Sequence, residues 1–570
     1  MKKIAAIILC LVAIAAGAYF LLREKTTANQ YARFLPPDVI GAINLTHSST
    51  LTDGFAASAL GKFLAKDTIH AIVQEMGGQP QDTVEYDRLY DAVAEVTGDP
   101  AFRAVFGNDA TLALLPPDRK ALAQDPAEAL RHSLVVVART SAAGALDMLS
   151  RLLKNAQVSR ETVDGLDLVK IVVDQNQVLY GFAEGKTVLL AYAPAAIKTC
   201  VATGKGETSL EKAPLFKEAT AFWQPYPAEK TYSRLYVNLP LAAELLQTAT
   251  VPEVKEMGAM LQGVDSLFSV SYGTDRGLES RGCSSYRYDQ LHALVKSAVN
   301  AAGPNQSLHL LKEKTLAYNW ASSLRPEIIV KAMAANEKEY GEMDREVRQN
   351  LGVSLEELGR AFGPQYGGVL EDIVRTPLFP WPKLTLFFGV REHKIAETVL
   401  AGLRRIIAGS GMASEEQEPA AGQTIYSWPV LPGESAQPAA VLTETMLYLA
   451  TSKQALKEIL ESKAAPAVLA VPVAAQLGDE LGGRMGSANF SSFIVYPQRM
   501  ARQTGETIDW LAAILATTKN ISLTRLNREL VQLLQSAELV AATSHLTKER
   551  AEWTMTVRRA PAPAAGNGSK

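Results

Sequence analysis

Ser133-Leu134-Val135-Val136-Val137-Ala138-Arg139 and Lys383-Leu384-Thr385-Leu386-Phe387-Phe388-Gly389-Val390 are the two stretches whose reading decides the fold. Each is a continuous apolar run of strand length, the pattern of a strand buried inside a sheet. Each leads into apolar residues spaced by three and four, the stripe of an amphipathic helix. The stripes are Leu146, Leu149 and Leu153 after the first run, and Ile395, Val399, Leu403 and Ile406 after the second.

Working outward, further landmarks recur around both runs in the same order. Upstream, residues 35–45 and 310–320 each read as a turn followed by a short strand, with Asp38, Ala42 and Asn44 aligned on Glu313, Ala317 and Asn319. Residues 102–107 and 358–363 each read as the end of a helix closed by glycine. Downstream come the strand pairs 166–172 with 187–192 and 424–428 with 445–450, running into short helices at 195–202 and 454–462. A third strand, 177–183, sits inside the first pair and makes a meander. Residues 235–240 and 492–497 then echo each other, each followed by a helical stretch. Hairpin-like strand pairs close both series at 267–272 with 278–288 and at 539–544 with 551–558.

Six landmarks in one order predict an internal duplication. Strands joined by short links must run antiparallel, because parallel neighbours need a long crossover. The expected fold is therefore α+β: two tandem homologous modules, each a mainly antiparallel sheet with helices packed on it, after one N-terminal transmembrane or signal helix. The expected boundaries are 1–25 for that helix, 31–298 and 308–559 for the modules, a Gly/Pro/Asn linker between them, and a disordered tail at 560–570.

The N-terminus sets the address. Lys2 and Lys3 precede residues 4–22, 19 positions without a charge. As a helix this run rises about 28 Å, close to the hydrocarbon thickness of a bilayer. The preferred reading is an uncleaved signal-anchor, because the apolar run continues through Tyr19-Phe20-Leu21-Leu22. Cleavage near Ala18, after Ala16-Gly17, is the alternative. Both readings carry the remainder out of the cytoplasm. The expected location is the bacterial inner membrane, single-pass, with the bulk in the periplasm.

Charge and composition exclude other classes. The chain has 57 basic and 60 acidic residues, 47% hydrophobic and 21% charged residues. These are ordinary globular values, neither disordered nor polytopic. A net charge of −3 leaves no basic excess for phosphate neutralisation, so no nucleic acid is expected as a partner. Three cysteines make no disulfide scaffold. Cys200 and Cys283 read as buried free thiols, with a disulfide as the open alternative.

No motif for chemistry stands out. None of the seven histidines has a metal-pair spacing to another. Gly204-Lys205-Gly206 lacks the earlier glycine and the preceding strand of a phosphate loop, so it reads as a helix end and turn. Gly409-Ser410-Gly411 is a helix-ending loop rather than a nucleophile elbow. Glu371-Asp372 reads as a solvated acidic pair without a role. No cofactor, metal or catalytic residue is expected, and the chain reads as a non-enzyme.

Two aromatic stretches beside prolines are the candidates for partner contact, since such side chains lose little entropy on binding. They are 375–382, a stiff loop carrying Phe379 and Trp381, and 222–227, carrying Trp223 and Tyr226. For the first, packing onto the core beneath it is the preferred reading and an exposed docking loop the alternative.

Leu35-Pro36-Pro37-Asp38-Val39 resembles the Leu-Pro-Ala-Asp-Thr-like phrase that opens the modules of a bacterial envelope family of unknown function. Lys312-Glu313-Lys314-Thr315 departs from that phrase. The resemblance extends in layout over most of 31–558. It implies an exported α+β repeat protein and supplies no catalytic residues. The expected role is a membrane-anchored periplasmic binding or scaffolding protein with an envelope protein partner. The alternatives are a carrier of a hydrophobic ligand such as a lipid, and an enzyme whose site no motif reveals.

Overall fold

A computed structural model describes residues 30–561, except 48–53, 141–145, 147–156, 175–176, 207, 250–251, 325–336, 377–378, 412, 463–464, 466 and 520. The apolar segment 4–22, Leu149, Leu153 and nearly all of the 560–570 tail lie outside the described residues. Among the described residues, no helix is long and apolar enough to cross a membrane.

The chain divides into two compact units. The first holds the described residues up to Lys296 together with Ile521–Glu529 and Lys548–Thr556. The second holds Ser297–Asn520, Leu530–Thr547 and the chain from Val557. The two short C-terminal segments of the first unit fall within the stretch assigned above to the second module. Chain order alone does not decide which core a segment joins.

In the first unit, ten strands build one antiparallel series: β1 (Gly41–Thr46), β2 (Asp109–Leu114), β3 (Leu134–Arg139), β4 (Gln157–Val163), β5 (Leu166–Asp174), β6 (Gln177–Glu184), β7 (Thr187–Ala191), β8 (Thr231–Asn238), β9 (Val264–Thr274) and β10 (Gly277–Tyr286). Neighbours run in the order β4-β5-β6-β7-β3-β2-β1-β8-β9-β10. Helices α1 (Pro194–Gly204) and α2 (Pro214–Trp223) cover the sheet. Each has proline in its first turn, where the missing N–H costs nothing. Ile197, Cys200 and Val201 of α1 and Phe216, Ala219 and Trp223 of α2 are buried against Val135, Val137, Leu189 and Tyr236.

In the second unit the strands are β11 (Ala317–Ser322), β12 (Phe362–Arg375), β13 (Pro380–Val390), β14 (Glu416–Ala420), β15 (Gln423–Ser427), β16 (Ala439–Leu442), β17 (Met446–Ala450), β18 (Ser491–Val495) and β19 (Ala537–Leu546). Their order is β14-β15-β16-β17-β13-β12-β11-β18-β19, again antiparallel throughout. Helices α3 (His393–Gly409) and α4 (Lys453–Glu461) bury Ala396, Val399 and Leu400, and Leu456 and Ile459.

The sequence reading needs correction in four places. Asn44 and Asn319 were aligned, yet Asn44 is 1% exposed and Asn319 faces solvent. The register is shifted by one, and a one-residue shift in a strand moves a side chain to the other face. Ile406 is 46% exposed and lies off the buried stripe of α3, whose inner face runs through Ala396, Val399 and Leu400. Residues 380–382 are not a loop: Pro380, Trp381 and Pro382 already pair with Arg375, Val374 and Ile373 as the start of β13. Finally, β2, β4, β12, β14 and β16 went unread. The β4 and β14 side chains are largely exposed and polar, so no apolar alternation marks them. β12 is interrupted by Gly363, Pro364, Gly367 and Gly368. At Gly367 a Cβ would lie 2.1 Å from the Asn319 carbonyl oxygen and 2.4 Å from the Phe387 ring, so close strand approach requires glycine there.

Candidate functional site

The site is built on one end of the first unit's central strands. Strand register places Thr46, Asp109, Arg139, Thr187 and Glu184 in one row across β1, β2, β3, β7 and β6. The next row on the same face reads Arg234, Asn44, Thr111, Val137 and Leu189 across β8, β1, β2, β3 and β7. Side chains alternate along a strand, so residues two apart share a face and the two rows are neighbours.

The 3-10 turn Gln30–Phe34 and the carboxyl end of α1 roof this patch. A cavity of about 280 Å³ remains, lined by Tyr31, Arg33, Asp109, Arg139, Glu184 and Lys205, among others. Gly204 lets α1 approach: a Cβ there would lie 2.6 Å from the Phe34 ring. Lys205 follows as the residue that ends the helix, where a cation suits the carbonyl end of the dipole.

The polar groups beneath the cavity are buried. Asn44 donates from Nδ2 to Asp109 Oδ1 at 2.5 Å and to Thr111 Oγ1 at 2.9 Å. Burial pushes the Asp109 carboxyl above its ordinary pKa, opposed by the Asn44 hydrogen bond and by the charges of Arg234 and Arg139. Arg234 is 2% exposed and its Nε has no hydrogen-bond partner. Burial weakens its hold on the proton, and Asp109 and Tyr31 act on it through space. Tyr31 is 4% exposed, lines the cavity, and its hydroxyl also lacks a partner. Burial raises the Tyr31 pKa, with the Arg234 charge working against it.

The second unit carries different residues at the same places in its strand order. The two rows there read Ser322 and Gln365 on β11 and β12, and Ser492, Trp320, Gly367, Phe387 and Tyr448 across β18, β11, β12, β13 and β17. No charged side chain stands among them. The polar side chains at these positions are hydrogen-bonded: Asn305 donates to Tyr318 and Ser492 at 2.8 and 3.1 Å, Ser307 bonds Asn305 and Tyr318, and Trp320 donates to Gln365 at 3.0 Å. Buried polar networks of this kind hold a fold.

Protein-family comparison matches residues 105–552 to the family described as a protein of unknown function, DUF3352. The chain belongs to the DUF3352 family. No curated protein matches this DUF3352 member. A solved structure, crystal form III of TP0453, aligns with 49% of this chain and 89% of its own length. At 7% identity and a TM-score of 0.25, that likeness carries no argument.

The aromatic candidates separate. Trp223 of the DUF3352 chain is 2% exposed and donates from Nε1 to the Ser269 carbonyl at 2.9 Å, so it is a core residue rather than a contact surface. Tyr226 is half-buried against Tyr272, ring centres 4.8 Å apart. Phe379 stacks between Trp381 and Trp510 at 5.5 and 6.2 Å, and Trp381 donates to the Thr451 carbonyl at 2.9 Å. Phe379 and Trp510 line a groove of about 320 Å³ in the second unit, with Arg375 and Glu506 ion-paired beside it. Cys200 and Cys283 are both free and buried, and burial pushes their thiols up to about 12 and about 11.

Sequence reading missed Tyr31, Asp109, Arg139 and Arg234 altogether. They are scattered over some two hundred residues; strand pairing gathers Asp109, Arg139 and Arg234, and the packed turn adds Tyr31. The one available signal was Arg234, a charge within the apolar alternation Tyr232, Tyr236 of a buried strand.

Proposed function

We propose that this DUF3352 chain is a non-enzymatic, membrane-anchored binding or scaffolding protein of the bacterial envelope, with its bulk in the periplasm. It is built from two tandem copies of one module, tethered through residues 4–22. The duplication reading is supported by the common strand order of the two units, from β4 to β9 and from β14 to β19. In this reading one copy has kept a site and the other has become a plain scaffold.

The observation that carries a binding role is the charged cavity of the first unit. It presents cations and hydroxyls on a rigid sheet row, with two buried donors left without partners. The test has two arms. A reporter enzyme active only outside the cytoplasm, fused after the last residue, is expected to be active, with the chain extracted by detergent and not by salt. In-cell cross-linking through the lining positions is expected to trap one reproducible adduct. An inactive reporter sinks the location, and no adduct at all sinks the binding role.

A second reading, a carrier of a hydrophobic ligand, draws on another cavity of about 500 Å³ in the first unit, lined by Leu115, Pro116, Pro117, Ala121 and Ala196 among others. Native mass spectrometry that finds no lipid mass on the detergent-extracted chain removes it.

A further inference from the structure

We propose that the cavity between the turn at Gln30–Phe34, the end of α1 and the row Asp109, Arg139, Thr187 takes a phosphate-bearing ligand. The inference rests on the binding reading above and names the chemistry of that site.

A buried guanidinium is expensive unless paired and hydrogen-bonded, by several kcal/mol per ion in real proteins. Arg234 is 2% exposed, its Nε bonds nothing, and its nearest carboxylate, Asp109, is held by Asn44 instead. Tyr31 adds a buried hydroxyl without a partner at the same place. Tyr31 lines the cavity, and Arg234 acts on Tyr31 and on Asp109 through space, so an anion in the cavity would meet an uncompensated buried cation behind its wall.

The lining then selects that partner's charge. Arg33, Arg139 and Lys205 line the cavity against Asp109 and Glu184. Glu184 is exposed at the mouth, whereas Asp109 is buried, and its carboxyl is neutralised more readily than usual for the reason given above. With Arg234 behind, the balance is cationic. A carboxylate offers two oxygens and one charge, which a single arginine satisfies in bidentate fashion. A phosphate monoester offers three acceptor oxygens and a charge between about −1.5 and −2. Three separate cationic arms, with Thr187 and Tyr31 as neutral donors, match the second. The volume of about 280 Å³ admits a phosphate and a few attached atoms, so the rest of a larger ligand would protrude.

The second unit supplies the contrast. Where the first has Arg234, Asn44 and Asp109, the second has Ser492, Trp320 and Gln365, all neutral and hydrogen-bonded. The same sheet position can thus be made structurally complete without charge, and the cost in the first unit is not forced by the fold.

The test uses the full chain in detergent, titrated calorimetrically with inorganic phosphate, with glycerol 3-phosphate and with succinate. A parallel arm measures co-sedimentation with vesicles of phosphatidylglycerol against vesicles of phosphatidylcholine. Saturable binding of either free phosphate compound is expected, weakening with salt and falling at least tenfold in Arg139→Gln and in Lys205→Gln. Phosphatidylglycerol-selective sedimentation, with the same losses in both variants, supports the proposal with a lipid headgroup as the source. Arg234→Gln is a further arm, but Arg139 and Lys205 are better placed because neither stands in the core. Saturable succinate binding without phosphate binding overturns the ligand class and leaves the binding role intact. No saturable binding in any arm, or binding unchanged in both variants, overturns the proposal.

Discussion

Asn44 on β1 and Asp109 on β2 meet side chain to side chain, Nδ2 to Oδ1 at 2.5 Å, with 1% and 6% exposure. The same Nδ2 reaches Thr111 Oγ1 at 2.9 Å. Asn44 is thus the donor that keeps a buried carboxyl and a buried hydroxyl satisfied. Asn44→Leu removes both bonds and leaves the acceptors buried, which costs about 1–3 kcal/mol. Urea unfolding should show a lower midpoint at unchanged slope; an unchanged midpoint would show that Asp109 finds another donor.

The pH dependence of stability follows from the same carboxyl. Its pKa is raised in the folded state by burial. The folded protein then binds more protons than the unfolded one just above the ordinary aspartate range. Stability therefore falls as pH rises from that range through the folded pKa. Asp109→Asn removes this contribution. Thermal melts of wild type and variant between pH 4 and 7 should differ in slope, with wild type losing more. Parallel curves would refute the assignment.

Phe216 on α2 is the hub of the first core. Its ring meets Tyr31, Trp223 and Tyr236 edge-on at 6.2, 5.7 and 5.3 Å. Phe216→Ala leaves a cavity among side chains that are each nearly fully buried, and the expected cost is about 3–5 kcal/mol. Because Tyr31 rests on this ring, near-ultraviolet dichroism should change as well as the unfolding midpoint.

In the second unit Glu371 is held between Lys312 at 2.8 Å and Lys383 at 3.0 Å, and Glu458 closes the ring. Its side chain is 9% exposed and that of Lys383 13%. The sequence reading took Glu371 for a surface carboxylate; it is a buried structural one. Glu371→Gln leaves the buried Lys383 with Glu458 alone, at 3.2 Å, and should cost about 1–3 kcal/mol. Lys312→Gln, at a position 36% exposed, should cost about 1 kcal/mol or less. Equal effects from the two variants would contradict a network centred on Glu371.

Gly204 closes α1 against Phe34. Gly204→Ala must push the ring, since the new Cβ would stand 2.6 Å from it, at an expected cost of about 1–3 kcal/mol. Phe34 lines the cavity, so the variant should also alter binding there. A variant with wild-type stability would mean that the ring rotates away freely.

Much of the fold was legible because burial imprints a period. Val135 and Val137 in one run and Phe387 in the other are core residues at 4% exposure or less, and the helices after 192 and 450 sit where the sequence put them. Exposed edge strands such as β4, polar on nearly every residue, carry no such imprint. Trp223 misled in the other direction: beside Pro225 and Pro227 it resembled a surface aromatic, while a backbone acceptor on β9, the Ser269 carbonyl, holds its indole inside.

By itself the sequence determined the α+β class, the antiparallel sense and the positions of the strands β3 and β13, because apolar periodicity and short links are local properties; that β13 alternates, with Leu386 39% exposed, was not legible in the run. Only the tertiary structure decided the site. Tyr31, Asp109, Arg139 and Arg234 lie far apart along the chain and share no spacing that chemistry would recognise. Asp109, Arg139 and Arg234 become neighbours through the register β8-β1-β2-β3, which is set by pairing between distant strands, and Tyr31 joins them from the turn packed over that sheet. The same pairing that gathers charge in the first unit gathers Ser492, Trp320 and Gln365 in the second, which is why one set of strands carries a charged row beneath a cavity and the other a neutral, hydrogen-bonded one.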